Sequence, residues 1–196
     1  MTWFEPLTLH GVNCTLVPLS HAHYDDLVEA VNDGELWNLW YTLVPKPDEI
    51  KNEIDRRLNF QVLGSMLPFS VVDNKTMKVI GMTTFLNSDP ENCRLEIGGT
   101  WYRRSVQRTG LNTCSKLLLL THAFESLNCI AVEFRTHFFN NKSRKGIERL
   151  GAKLDGILRN HIIMPVNTIR DTCVYSIMVS EWPTVKINLI WLISKY

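Results

Sequence analysis

The chain lacks an excess of either charge: 21 lysines and arginines stand against 20 aspartates and glutamates. So balanced a surface predicts no general affinity for nucleic acid or for an anionic membrane. Five cysteines, Cys14, Cys93, Cys114, Cys129 and Cys173, are odd in number and scattered, with no C-x-x-C pair. That pattern argues against a disulfide framework and predicts reduced thiols in a cytoplasmic setting. The histidines, His21 and His23 among them, have no cysteine or carboxylate at ligand spacing, so no metal is expected. No apolar run approaches the roughly 20 residues that cross a bilayer. The first residues lack the basic and apolar regions of a secretory signal. Neither a repeat nor a low-complexity linker interrupts the sequence. With 45% apolar and 21% charged residues, residues 1–196 are expected to form one domain, with an apolar extension at 184–196. The apolar tail Ile187–Ile193 reads as a docking helix or strand, or as a contact in a homodimer; otherwise the chain is a monomer.

What the sequence does have is concentrated in Ser105–Lys116, SVQRTGLNTCSK. Gly110 can take positive φ without a Cβ penalty, so amides around Thr109, Leu111 and Asn112 can turn toward an anion. The unpaired N–H groups and positive dipole end of the leucine-rich helix that follows, expected over Thr113–Leu127, would face the same anion. The plainer reading is an entry turn with Asn112 or Thr113 as N-cap. Upstream, Leu95–Tyr102 alternates with period two, placing Leu95, Ile97, Gly99 and Trp101 on one face and Glu96, Gly98 and Thr100 on the other. Paired glycines there predict a bulge or a ligand lying close to the backbone. Arg103, Arg104 and Arg108 either meet phosphates or form a solvated rim. On the helix, Leu117, Leu120, Phe124 and Leu127 are expected to pack on the sheet, with Lys116 and Glu125 in water.

The coarse element order is a strand at Asn13–Pro18, a helix from Ser20 to Asn32, a tryptophan-rich connection and a helix from Pro47 to Leu63. A hairpin at Pro68–Asp73 and Lys78–Asn87 follows, then the Arg94–Tyr102 strand, the leucine-rich helix, a strand at Ile130–Thr136, a helix at Asn141–Leu150 and two late strands at Lys153–Met164 and Arg170–Val179. These residues resemble the GNAT superfamily of acetyl-CoA-dependent N-acyltransferases, in the branch of RimJ/RimL-like ribosomal-protein N-terminal acetyltransferases. Gln107-Arg108-Thr109-Gly110-Leu111-Asn112 matches the acyl-CoA signature Gln/Arg-x-x-Gly-x-Gly/Ala at the glutamine and the first glycine. It departs at Asn112. Further departures fall at Cys114, where relatives carry glutamate, at His137, where they carry aspartate, and at Gly99, where a bulky residue is expected.

The resemblance implies a mixed α/β fold with a central, mostly antiparallel, twisted sheet and helices on both faces. It implies transfer of acetyl from acetyl-CoA to a primary amine, on a peptide N-terminus or a small molecule, by direct attack in a ternary complex. The alternative is a weak or inactive acyl-CoA-binding sensor of the same fold. Cofactor contacts fall on Gly98, Gly99, Thr100, Gln107, Arg108, Thr109, Gly110, Leu111, Asn112, Thr113, Asn140 and Ser143. Ser143 is the expected proton donor to the leaving thiolate, although Asn140 and Ser143 also read as a helix cap and a first-turn residue. Glu96 is one candidate base, with a cross-strand pair to Arg94 or Arg135 as the competing role. His161, oriented by Asp171, is the other. Trp37, Trp40 and Tyr41 border the acceptor. The absence of an acidic cluster argues against polyamines as acceptors. Cys114 is expected at the diphosphate end and not as a nucleophile.

Overall fold

The computed structural model describes residues 3–165 and 167–196. Among these residues eight strands form one sheet: β1 (Leu9–His10), β2 (Cys14–Pro18), β3 (Met66–Asp73), β4 (Val79–Asp89), β5 (Arg94–Tyr102), β6 (Ala131–His137), β7 (Lys153–Ile163) and β8 (Ile169–Met178). Five α-helices accompany them: α1 (Tyr24–Asn32), α2 (Ile50–Val62), α3 (Leu111–Thr121), α4 (Asn141–Arg149) and α5 (Trp182–Ile193). The spatial order is β1-β2-β3-β4-β5-β6-β8-β7. Neighbours run antiparallel except β5 and β6, which are parallel.

Two apolar clusters lie on the sheet's faces. One joins Leu16, Phe69, Phe85, Leu95 and Ile97 to Leu119 and Leu120 of α3, to Phe124 just beyond it and to Trp182, Val185 and Leu189 of α5. The other joins Val79, Met82 and Trp101 to Leu27 and Val31 of α1 and Ile54 of α2. Trp101 is therefore not on the face of Leu95 and Ile97, as strict alternation requires. The cause is a bulge. Met82 pairs with Trp101 but Thr84 pairs with Gly98, so Gly99 and Thr100 together oppose Thr83. Gly99 has φ +57°, and the extra residue turns every later side chain of β5 to the opposite face.

Arg57 of α2, missed by the sequence reading, holds this bulge from one side. It is 4% exposed, its Nη2 donates to Gly99 O at 2.9 Å, its Nη1 to Thr84 Oγ1 at 2.7 Å, and its Nε pairs with Glu53 at 2.6 Å. Glu53 keeps a second pair with Arg56 at 2.7 Å, but without Arg57 the buried Thr84 Oγ1 and Gly99 O lose this donor. Arg57→Met is accordingly expected to lower stability by about 2 kcal/mol, read as a fall in the urea midpoint at unchanged m-value.

Helix α3 begins at Leu111, two residues earlier than expected, and widens into a π turn over His122–Ser126. Its buried face is also rotated from the expected one. Lys116 is buried at 5% exposure, whereas Leu117 and Leu127 are only half-buried. Lys116 shares a face with Thr113, Leu119 and Leu120 at the three- and four-residue spacing of a helix. The apolar tail is a helix, α5, which docks Trp182, Val185 and Leu189 beside α3 and leaves Ile187, Ile190 and Trp191 exposed.

Candidate acyl-CoA cleft

The parallel ladder of β5 and β6 ends at the pair Glu96 and Glu133. Beyond it the two strands part, and a cleft of about 1340 Å³ opens between Ile97–Tyr102 on one side and Phe134–His137 on the other. Unpaired backbone at such a divergence must find another partner. The first turns of α3 and α4, the 36–44 connection and Tyr196 complete the walls.

At the Tyr102 end the chain makes its anion turn. Arg108 has φ +67° and Gly110 φ +81°, and Gly110 serves as N-cap of α3 without any side-chain capping bond. Neither Asn112 nor Thr113 is the cap. Thr113 Oγ1 instead accepts from Arg149 Nη2 at 2.9 Å. The first N–H groups of α3 are thus left to the cleft, together with the positive end of its dipole. Gln107 Nε2 donates to Tyr102 O at 3.1 Å and Thr109 Oγ1 to Val106 O at 2.6 Å, which fixes the turn. The ring of Tyr196 lies against Gly110.

Ten lysine and arginine side chains line this cleft, and among the described lining residues there is no carboxylate. Counted over side chains, in a chain of net charge +1, that is a strong segregation. Arg104 and Arg108 belong to the lining, but Arg103 does not. It pairs with Glu29 at 3.1 Å and Asp33 at 3.0 Å, on the side of α1. Arg103→Ala is therefore expected to leave coenzyme A affinity unchanged, whereas Arg108→Ala should weaken it in a salt-dependent way, both read by calorimetry at two ionic strengths.

Asn140 caps α4, its Oδ1 accepting from Ser143 N at 3.1 Å. The cap and the cleft contact are the same helix end. Both residues line the cleft, with Ser143 half-buried.

Glu96 lies at the vertex where the strands part, 5% exposed, behind the lining residues Ile97 and Gly98. Burial raises its carboxyl above the usual range, against the lowering by a 2.8 Å bond from Asn87 Nδ2 and by Arg135, whose Nε is 3.5 Å away. Arg94 does not reach it and pairs with Glu133. His161 is on the exposed edge strand β7, outside the cleft lining, with Nδ1 3.1 Å from Thr172 Oγ1. The expected partnership with Asp171 is not formed. Asp171 accepts from Asn160 N at 2.8 Å and pairs with Arg159 at 2.6 Å.

His137 is the imidazole the structure brings to the cleft. It is 3% exposed, its Nδ1 accepts from Phe139 N at 3.1 Å, and its buried Nε2 has no partner among the described residues. Burial lowers its pKa, and Arg170 lowers it further. Trp40 meets His137 edge-on at 5.1 Å, and Tyr41 lies at 6.3 Å from it. Trp37 packs into the cluster of α1 and α2 instead. Cys114 faces the other way, its sulfur against the Gly11 backbone, on the wall of a separate cavity of about 480 Å³ beneath α5. Hydrogen bonds from Cys14 and from the backbone of Val12, Asn13 and Cys14 hold its thiol down at about 6, burial opposing them.

A model of the acetyltransferase (GNAT) domain matches residues 13–153. The chain belongs to the GNAT acetyltransferase family. As a GNAT protein it falls in a family of acyl-transferring enzymes that use acetyl-CoA. Among curated proteins it is 33% identical over 103 residues to "Putative ribosomal N-acetyltransferase YdaF" of Bacillus subtilis (strain 168). That match covers 52% of this chain and 55% of the relative, so the chain matches about half the length of the curated relative. Among solved structures, a GCN5-related N-acetyltransferase from Brucella melitensis superposes with TM-score 0.85 at 28% identity, covering 96% of this chain and 86% of the other. RimJ of Mycobacterium smegmatis, in complex with CoA-disulfide, superposes with TM-score 0.79 at 17% identity, covering 94% of each chain, and shows the fold alone. The described GNAT chain has no group of three or more metal-ligating side chains and no helix long and apolar enough to cross a membrane.

Proposed function

We propose that the protein is an N-acetyltransferase of one GNAT domain that moves the acetyl group of acetyl-CoA to a primary amine in a ternary complex. The observation that carries this reading is the uncapped N-terminus of α3 opening into a cleft with ten basic side chains and, among the described lining residues, no acidic one. Such a site suits a diphosphate and a further phosphate and repels polycations. That favours an acceptor with a single amine, on a peptide end or a small molecule, over a polyamine.

Acetyl-CoA, when bound, supplies a thioester carbonyl and a thiolate leaving group. This chain's own residues then have distinct tasks. Amides of Gly110, Leu111, Asn112 and Thr113 hold the diphosphate, with Gln107 fixing the turn and Arg108 adding charge. The bulged backbone at Gly98, Gly99 and Thr100 offers hydrogen-bonding groups to the pantetheine arm, and Asn140 offers its amide. Backbone donors aimed at a developing oxyanion act strongly in a site shielded from water. Ser143 Oγ gives a proton to the departing sulfur. Glu96 takes the proton of the amine through water at the vertex, helped by its raised pKa. His161, exposed on β7, is the weaker candidate for that task. Trp40 and Tyr41, with His137, border the acceptor, while Trp37 supports their loop from the core.

The test combines calorimetric titration of acetyl-CoA with mass spectrometry of products from peptides, amino acids, aminoglycosides and polyamines. Acetylated monoamine products support the proposal. Tight binding with no product on any amine supports the sensor reading instead, and no binding removes the cleft assignment.

A further inference from the structure

Lys116 and Arg57 are the two buried cations among the described residues that line the cleft. Arg57, equally buried, is matched by Glu53. The Nζ of Lys116 has only hydroxyls: it donates to Thr83 Oγ1 at 3.0 Å and to Thr100 Oγ1 at 2.8 Å, which are themselves bonded at 2.8 Å. Thr100 belongs to the bulge of β5, so this lysine grips the bulge from the face opposite Arg57. The ionisable group that acts on it is Cys14 on β2, which favours its charged form. Arg104, Arg108 and Arg149 stand at the same end of the cleft and are also basic. Among the described residues lining the cleft no carboxylate side chain offsets a charge there, and only the Cys14 thiol favours the ammonium.

A cation enclosed without a counter-ion is disfavoured by desolvation, and burial brings Lys116 down to about 7. Its neutral form still satisfies both threonines, because an amine can donate and accept. An anion seated on the first amides of α3 changes this balance. Five residues separate Leu111 from Lys116, roughly 7.5 Å along the axis at about 1.5 Å per residue. The side chain of a helical residue also leans toward the N-terminus, which shortens the gap. Inside a dry cleft such a separation is well within electrostatic reach.

We propose that Lys116, enclosed with two threonine hydroxyls and no carboxylate, couples coenzyme A binding to proton uptake by becoming an ammonium when the diphosphate settles on α3. The inference rests on the acyl-CoA reading of the cleft. Protonation on binding supplies the missing counter-charge and tightens the grip on Thr100, so diphosphate occupancy and the geometry of the bulge are set together. Affinity should be greatest below pH 7 and fall roughly tenfold per pH unit above it, until the bound-state titration is passed.

The experiment titrates coenzyme A into the protein at pH 8 in buffers of different ionisation enthalpy. Wild type is expected to take up about half to one proton per ligand more than Lys116→Met. Proton exchange by the ligand's own phosphate is common to both and cancels. Lys116→Arg, always charged, should bind and show no such uptake, which guards against a misfolded methionine variant. The ligand-free proteins give a second readout. The unfolded lysine binds protons up to about pH 10.4 and the folded one only to about 7, so wild-type melting temperature should rise between those values relative to Lys116→Met. Equal uptake by wild type and both variants overturns the proposal while leaving the cleft assignment standing. Absence of coenzyme A binding by wild type overturns both.

Discussion

Gly110→Val is expected to reduce acetyl-CoA affinity by about two orders of magnitude while the protein stays folded. Two physical effects act together. The residue sits at φ +81°, where a β-branched side chain is strained by about 1–3 kcal/mol. A Cβ there would also lie 2.6 Å from Cδ2 of Tyr196, so the turn or the C-terminal ring must move. Either response rotates the amides of Leu111 and Asn112 away from a common anion, and each 1.4 kcal/mol lost is about tenfold in affinity. Calorimetry on Gly110→Val, with and without Tyr196→Ala, separates the two. Removing the ring should restore only the part that came from the clash. Unchanged affinity in a folded Gly110→Val protein would remove the turn from the cofactor site.

The turn was legible because its requirement is local: a glycine at positive φ ahead of a helix is written in consecutive residues. Helix α4 was legible for the same reason, since Asn140 and Ser143 are one turn apart and the cap bond joins them. What failed were inferences that depend on register. Trp101 was placed with Leu95 and Ile97 because alternation counts residues, and a bulge adds one without any mark beyond the glycine pair. His161 and Asp171 look like partners across a hairpin, yet the register of β7 and β8 shifts between Leu158 and Ile162, and Thr172 meets the imidazole instead. Arg57 acquires its place only from contacts between elements far apart in sequence, and so does His137, which the sequence marks only as a departure from the family's aspartate. Lys116 is a different failure. Its spacing from Thr113, Leu119 and Leu120 puts it on the buried face, where a charged residue type alone would not place it.

Ser143→Ala and Glu96→Gln are expected to divide the chemistry between the two ends of the reaction. Protonation of the leaving sulfur matters in the transition state and little in the ground state, so Ser143→Ala should lower kcat by about 10²-fold with a small change in the KM for acetyl-CoA. A fall in affinity with kcat preserved would make Ser143 a cofactor-binding residue of the cleft and not the proton donor. Glu96 works only as a carboxylate. Its folded pKa is raised by burial, so the active form accumulates as pH rises through that value and the rate climbs with it. Glu96→Gln removes the group that titrates and should flatten this ascending limb while cutting kcat by about 10²-fold or more. His161→Ala should leave the limb in place, because an imidazole on the exposed edge strand lies outside the cleft. Loss of the limb in His161→Ala and its survival in Glu96→Gln would transfer the base to β7. Survival in both would assign proton removal to bulk water, with Glu96 reduced to holding Asn87 and Arg135 where β5 and β6 part.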